Sequence, residues 1–416
     1  MVSRAGEAAI SAVSLVDAVN ILITQVFTAL ATGGTIICAQ YIGRQDKKES
    51  IRAARQVVWT VFVISMAISI ICVAFRRPLL ALIFGKVEKA VMTNSITYMW
   101  ITACSFPFIA LFQAGAAFFQ ASGDSRFPMT VSVISNIINI VGNAILIFGF
   151  HMGVAGAAWA TVIAQFASCS FAFCFLIGKK VPVRITRLKK EMLSKNITCR
   201  ILGLGLSPFL ILATDSVIII IMNTVLQHYG GPKEGDLLIT CATIVQSYMM
   251  LITGPMLGIS SGTQAILSYN YGAKATRRVR KAERYILLLC LCFTSLMFLL
   301  SRIVPQYFIG IFTRDPGLTD LCIWGIHIFT LMIVPLSFQY VFVDGFTALG
   351  RSKTALFLSL FRKGDYVLFT MILPIFYGAR SAFYAQPLAD GIAAVMSTVA
   401  FLLIFKKHLQ KQEVSL

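Results

Sequence analysis

Long apolar stretches follow one another along this chain with only short polar breaks, and no other feature restricts its fold so severely. A helix crosses a bilayer with roughly 20 mainly apolar residues. Such segments lie at about 15–42, 53–75, 91–121, 129–150, 154–177 and 201–226, then at 237–267, 285–304, 321–349, 354–376 and 382–405. Only helices and closed barrels satisfy every backbone polar group in hydrocarbon. These segments are too long and too continuous for barrel strands, which need roughly 9–11 alternating residues. The expected fold class is therefore all-α integral membrane, with eleven spans. Composition agrees, since 57% hydrophobic and 13% charged residues leave too little polar surface for a water-soluble chain of this length.

The formal net charge of +19 would point to nucleic acid in a soluble chain, so the placement of the cations decides their meaning. They fall on alternate loops. Arg44, Lys47, Lys48, Arg52 and Arg55, then Arg126, then the run from Lys179 to Arg200, then Lys274 to Arg284, Arg351, Lys353 and the C-terminal lysines share one side. That side carries 25 basic residues against 9 on the other, and by the positive-inside rule it is cytoplasmic. The C-terminus is expected inside, with the lipid bilayer as partner and no nucleic acid. The 10 cysteines are spread through apolar segments without metal-ligand spacing and read as small reduced hydrophobes. Residues 1–14 lack the basic head and apolar core of a cleavable signal.

The chain repeats itself at a nearly constant offset. Tyr41-Ile42-Gly43-Arg44 faces Asn270-Tyr271-Gly272-Ala273 at 229, Pro107 faces Pro335 at 228, Gly123 faces Gly350 at 227, and Ala164-Gln165 faces Ala389-Asp390 at 225. Two same-orientation copies follow. Residues 1–178 form a first bundle and 179–197 a basic cytoplasmic linker with Pro182. Residues 198–406 form a second bundle and 407–416 a cytoplasmic tail. The segment 201–226 opens the second copy, and its partner would lie before Met1, so the first bundle is expected to lack its opening helix.

Two pseudo-symmetric bundles joined by a basic loop, with Asn139-Ile140-Val141-Gly142-Asn143, Ile147-Phe148-Gly149 and Gly153-Val154-Ala155-Gly156-Ala157-Ala158, resemble the multidrug and toxic compound extrusion (MATE) family over nearly the whole chain. The resemblance implies a fold of six plus six spans. The opening Met1-Val2-Ser3-Arg4-Ala5-Gly6 looks like the end of that family's first span, so the chain reads as N-terminally truncated. The resemblance also implies a secondary transporter in a bacterial plasma membrane. Its partner is a small organic substrate, its coupling ion is Na⁺ or H⁺, and it uses no cofactor.

A carboxylate inside a span carries a penalty of roughly 2.5–3.5 kcal/mol on insertion scales, so each one needs a partner, a cavity or a task. Asp215 stands mid-segment in Ala213-Thr214-Asp215-Ser216-Val217, at the acidic position of the family's seventh helix, and ranks first for ion coupling, with Na⁺ held there if Na⁺ is the ion. Asp390, after Gln386 and Pro387, and Asp17, with Asn20 further along its segment, are the other ion-coupling candidates. Asn136, Asn139 and Asn143 form a polar stripe on one helix face and match a family motif whose second member is usually aspartate. Asp344 lies in the segment where many family members keep an acid, but the count back from Gly350 places that position nearer Phe338; Gln339 and Asp344 join the three asparagines as candidates for the polar lining of the substrate cavity. Asp365 reads as a salt-bridged helix start with Arg362 and Lys363 near the cytoplasm. Pro107, Pro335 and Pro208 are candidate hinges.

Two rivals are weighed. Gly258-Ile259-Ser260-Ser261-Gly262 with His327 matches a serine-hydrolase pattern, yet the repeat counterpart Ala29-Leu30-Ala31-Thr32-Gly33 has no serine, and the glycines suit close helix packing. A lipid or polysaccharide flippase shares the two-bundle architecture but should line its cavity with Arg or Lys. The expected reading is a monomeric, non-enzymatic antiporter of organic cations, drugs or metabolites, working by alternating access, in which Asp215→Asn abolishes ion-coupled export.

Overall fold

The computed structural model describes residues 7–84, 89–177 and 195–405; the basic linker, the opening six residues and the C-terminal tail called out above lie outside them, apart from the ends of the linker and second bundle. No strand occurs among the described residues. Helices run α1 (Glu7–Gly43), α2 (Lys47–Ala74), α3 (Arg76–Phe84), α4 (Lys89–Ala103), α5 (Phe106–Ala121), α6 (Arg126–Ala144) and α7 (Gly153–Ile177). They continue as α8 (Lys195–Gly262), α9 (Gln264–Gly272), α10 (Thr276–Ile303), α11 (Pro305–Ile309), α12 (Pro316–Phe329), α13 (Ile333–Ala348), α14 (Ser352–Tyr377) and α15 (Ala385–Ala400). Backbone contacts divide the chain into two compact units, Met1–Phe209 and Leu210–Leu416.

Every one of the eleven expected segments is helical, but among the described residues seven single helices qualify as spans by length and apolarity, or nine if each bent pair is one span. The difference has a physical origin. α14 carries Arg362, Lys363 and Asp365 in its middle, which breaks its apolar run. α8 is itself two helices, broken at Gly231 (φ 66°, ψ −171°).

The repeat is visible in the backbone of each unit. Gln45 (φ 59°) and Lys274 (φ 56°) both take left-handed conformations just past Gly43 and Gly272, and Gly123 (φ 87°) and Gly350 (φ 81°) do so at the ends of α5 and α13. A left-handed residue after a helix satisfies its last carbonyls, and glycine adopts it without steric penalty. The bent pairs repeat as well: α4 and α5 meet at 42°, α12 and α13 at 49°. Pro107 stands second in α5 and Pro335 third in α13, first-turn positions where a missing N–H leaves no intrahelical bond unmade. Pro208, by contrast, lies where α8 continues without a non-helical residue.

In the first unit α1 packs against α2, α4 and α5, α5 also against α7, and α6 against α7. One apolar core joins them through Phe27, Ile36, Val57, Met99, Ile101 and Phe118, and Phe27 meets the ring edge of Phe106 at 6.1 Å. α1 and the first turns of α8 touch backbone to backbone. A Cβ on Gly33 would fall 2.5 Å from the Ile201 carbonyl oxygen, and one on Gly205 2.6 Å from that of Ala29. Gly205→Ala should therefore push the helices apart and lower thermal stability by about 1–3 kcal/mol. Gly203→Ala, with nothing within 4 Å, serves as the neutral comparison. Equal melting midpoints for the two variants would contradict the close approach.

In the second unit α13 lies against α10, α14 and α15, and α14 pairs with α15. Hydroxyls as well as apolar groups hold these helices: Thr294 and Ser337 are 2.8 Å apart across α10 and α13.

Candidate functional site

A cavity of about 420 Å³ opens inside the first unit. Its polar wall comes from α1 (Asp17, Asn20), α4 (Tyr98, Thr102), α6 (Asn136, Asn139, Asn143) and α7 (Thr161, Gln165). Asn136, Asn139 and Asn143 recur every three or four residues along α6, so one face carries all three amides to the cavity. Asp17 and Asn20 share a face of α1 for the same reason.

The Tyr98 hydroxyl donates to Asp17 Oδ1 at 3.1 Å. Asn20 Nδ2 approaches the same oxygen at 3.5 Å and Thr102 Oγ1 at 3.4 Å. Across the cavity Asn143 Nδ2 donates to Asn139 Oδ1 at 3.0 Å, and Asn139 Nδ2 donates to Thr161 Oγ1 at 3.2 Å. The Asn143 carbonyl oxygen is buried without a hydrogen-bond partner. No Lys, Arg or His stands among the described lining residues. The site therefore offers one carboxylate and several oxygens to a small cation, with no competing positive charge of its own. A hard monovalent cation takes oxygen ligands of this kind, and a proton needs only the carboxylate.

The second unit is organised differently. Arg362 donates to Asp390 Oδ1 at 2.7 Å, with the two side chains 17% and 1% exposed. Gln386 donates to the other oxygen of Asp390 at 2.8 Å. Lys363 reaches Asp215 Oδ1 at 2.5 Å, the lysine 4% and the aspartate 53% exposed. The Arg362 guanidinium lies 5.5 Å from the centre of the Tyr340 ring. This corrects the expected role of Asp365. Arg362 and Lys363 stand ten residues inside α14, their charges go to Asp390 and Asp215, and Asp365 Oδ2 is buried without a hydrogen bond. Adjacent positions on a helix point about 100° apart, which sends the two cations to different neighbours.

Asp344 accepts from Gln264 Nε2 at 2.8 Å and from the Ser260 hydroxyl, which also lies 3.2 Å from the Tyr340 carbonyl. The hydrolase-like serine is thus a bridge from α8 to α13, with Asp344 as its partner. His327 stands on α12, where its carbonyl accepts from Arg302 at 2.7 Å. Gln339 is 3% exposed; its amide donates to the Leu358 carbonyl at 3.2 Å and accepts from Ser397, tying α13 to α14 and α15.

Sequence reading placed Asp17 and the three asparagines among the candidates, and the fold brings them into one cavity. It missed Tyr98 and Thr161, whose segments read as apolar throughout. It also missed Glu283, which is 3% exposed with neither carboxylate oxygen hydrogen-bonded and lies against Gly345. Glu283 sits in a basic run and reads as solvated, yet Thr276, Val279, Ile286 and Cys290 are buried on the same face of α10, and that stripe is the signal that marks it.

Comparison with known proteins supplies an independent view. The profile of the MatE family matches residues 1–145 and 209–372. The multidrug export protein MepA of Staphylococcus aureus is 21% identical over 399 residues, covering 95% of this chain and 86% of that one. The uncharacterized transporter YisQ of Bacillus subtilis is 24% identical over 368 residues, covering 86% and 78%. A crystal structure of a MATE protein in the bent conformation superposes with a TM-score of 0.91 at 21% identity, covering 100% of this chain and 90% of the other.

Proposed function

The chain belongs to the MatE family and is a multi-pass membrane transporter, and on that premise we propose that it exports organic cations, drugs or metabolites by alternating access in exchange for Na⁺ or H⁺. The observation that carries this reading is Asp17, a carboxylate in an amide-lined cavity with no basic side chain among its described lining residues. Among the acidic candidates it is the best placed to receive the coupling ion, because Asp390 and Asp215 already face Arg362 and Lys363. Ion occupancy there neutralises Asp17 and shifts the population between the conformations that open to either side.

The charge pairing also separates the exporter from a flippase for anionic head groups. Arg362 and Lys363 are matched by two carboxylates, so they present no net positive surface to a phosphate. An antiporter of this kind acts in a bacterial plasma membrane with its C-terminus in the cytoplasm. It works as a monomer without a cofactor and catalyses no bond chemistry.

Ethidium efflux from proteoliposomes under separate Na⁺ and proton gradients tests the reading. One charge moving through about 100 mV supplies about 2.3 kcal/mol, nearly fifty-fold in concentration. Ethidium should leave against its own gradient with one of the two ions and stay with neither; efflux that ignores both ions would end the proposal.

A further inference from the structure

Another cavity, of about 340 Å³, opens in the second unit. None of Arg362, Lys363, Asp215 or Asp390 stands among its described lining residues. α10 supplies Arg280, Glu283, Arg284 and Leu287 to its wall. Phe342 of α13 and Phe401, just past α15, stack at 4.0 Å and 14° on the other side. Helical spacing sorts the α10 residues into two adjoining rows. Arg280 and Arg284, one turn apart and both exposed, form the outer row; Glu283 and Leu287, also one turn apart, lie further in.

Glu283 is the member that helix packing does not explain. It is 3% exposed, neither carboxylate oxygen has a hydrogen-bond partner, and one oxygen lies against Gly345. A carboxylate taken out of water without donors is costly, because it loses its hydration and gains nothing in exchange. A group that satisfies it must bring N–H or O–H donors into the cavity.

The surroundings fix what else that group carries. A lone cation beside Glu283 would face the neighbouring guanidiniums, and a lone anion on the guanidiniums would face the carboxylate. A phosphate joined through two carbons to a primary ammonium meets both demands. The phosphate takes the outer row, and the three N–H donors of the ammonium take Glu283. Arg280 holds another contact as well, so the phosphate is assigned first to Arg284; with five N–H donors a guanidinium serves more than one acceptor. Leu287, Phe401 and the 58% exposed Leu402 continue the wall as apolar surface, which suits acyl chains. The two arginines belong to the basic run Lys274 to Arg284, on the side that the positive-inside rule assigns to the cytoplasm. Basic pockets between spans on that side receive lipid head groups.

We propose that this cavity seats one ethanolamine phospholipid of the cytoplasmic leaflet. Its phosphate lies on Arg284 and Arg280, its chains along Leu287 and Leu402, and its ammonium on Glu283, whose carboxylate turns from Gly345 toward the cavity to meet it. Occupancy is independent of the ion and the substrate that the chain carries.

Native mass spectrometry of the purified full chain in detergent, with dioleoyl phosphatidylethanolamine, phosphatidylcholine or phosphatidylglycerol added in turn, tests this without transport. The wild type should retain one ethanolamine lipid about tenfold more readily than either of the others, since choline has no N–H donor and glycerol no positive charge. Glu283→Gln should erase that preference. Arg284→Ala should weaken retention of all three lipids, because it removes the contact to the phosphate they share. Free phosphoethanolamine at the concentration of the lipid should not displace it. Equal retention of the three lipids by the wild type, or a preference for phosphatidylglycerol, would overturn the proposal without recourse to any variant. So would an ethanolamine preference that survives in Glu283→Gln, retention unmoved by Arg284→Ala, or displacement by the free head group, which would remove the lipid as occupant.

Discussion

Asp390→Ala is expected to lower the stability of the chain by about 3–5 kcal/mol, the usual consequence of removing one partner from a buried ion pair. For a unit of roughly 200 residues that is a fall of roughly 6–20 °C in melting midpoint. The reason is Arg362. Its guanidinium is 17% exposed in the middle of α14 and meets Asp390 at 2.7 Å, so without the carboxylate it becomes a largely buried charge that has lost its direct ion-pair partner and keeps the face of Tyr340. The double variant Arg362→Met with Asp390→Leu removes both charges and keeps the volume, and should recover most of the loss. Intrinsic tryptophan fluorescence during heating reads both variants, since Trp324 packs at 5.3 Å against Phe383 in the same unit. Single variants that melt within a degree of wild type would show that Arg362 and Asp390 are not paired.

Asp17→Asn is expected to reduce ion-driven ethidium efflux to the leak of empty vesicles while leaving the melting midpoint nearly unchanged. Asparagine keeps the shape of the carboxylate and an oxygen for Tyr98 and Asn20, but it neither titrates nor attracts a cation through a full charge. Tyr98→Phe removes one hydrogen bond to a charged group, worth about 1.5–3 kcal/mol. It should therefore change the concentration of coupling ion needed for half-maximal efflux by roughly 10- to 100-fold without abolishing transport. Undiminished ion-driven efflux from Asp17→Asn would take Asp17 out of the coupling. Loss of efflux together with a large fall in melting midpoint would point instead to a structural role.

The two results bear on different halves of the duplicated chain. In the first unit Asp17 faces a cavity and has no cationic partner among the described residues. In the second, both conspicuous aspartates are matched by cations. Duplication kept the helical frame, including the paired left-handed residues and the bent helix pairs, while the electrostatics of the two copies diverged.

Much of this was legible in the chain itself. Bilayer thickness dictates the length of an apolar segment, so the helices could be marked by counting. A repeat in sequence at offsets near 228 aligns Gly123 with Gly350 and Pro107 with Pro335, and the backbone follows it. The amide stripe of α6 could be read because helical periodicity is local. The partners of charged residues could not. Lys363 and Asp215 are 148 positions apart and Arg362 and Asp390 28 apart, and no spacing rule links residues on separate helices. Read locally, Arg362, Lys363 and Asp365 look like one salt-bridged cluster; tertiary packing sends the two cations to different helices and leaves Asp365 to neither. Sequence alone determined that the chain must be helical, duplicated and immersed in lipid, because those properties follow from each segment's own length and periodicity. Which carboxylates are neutralised and which face an open cavity was decided only by the tertiary structure, because a charge is balanced by whatever packing brings within a few ångströms of it.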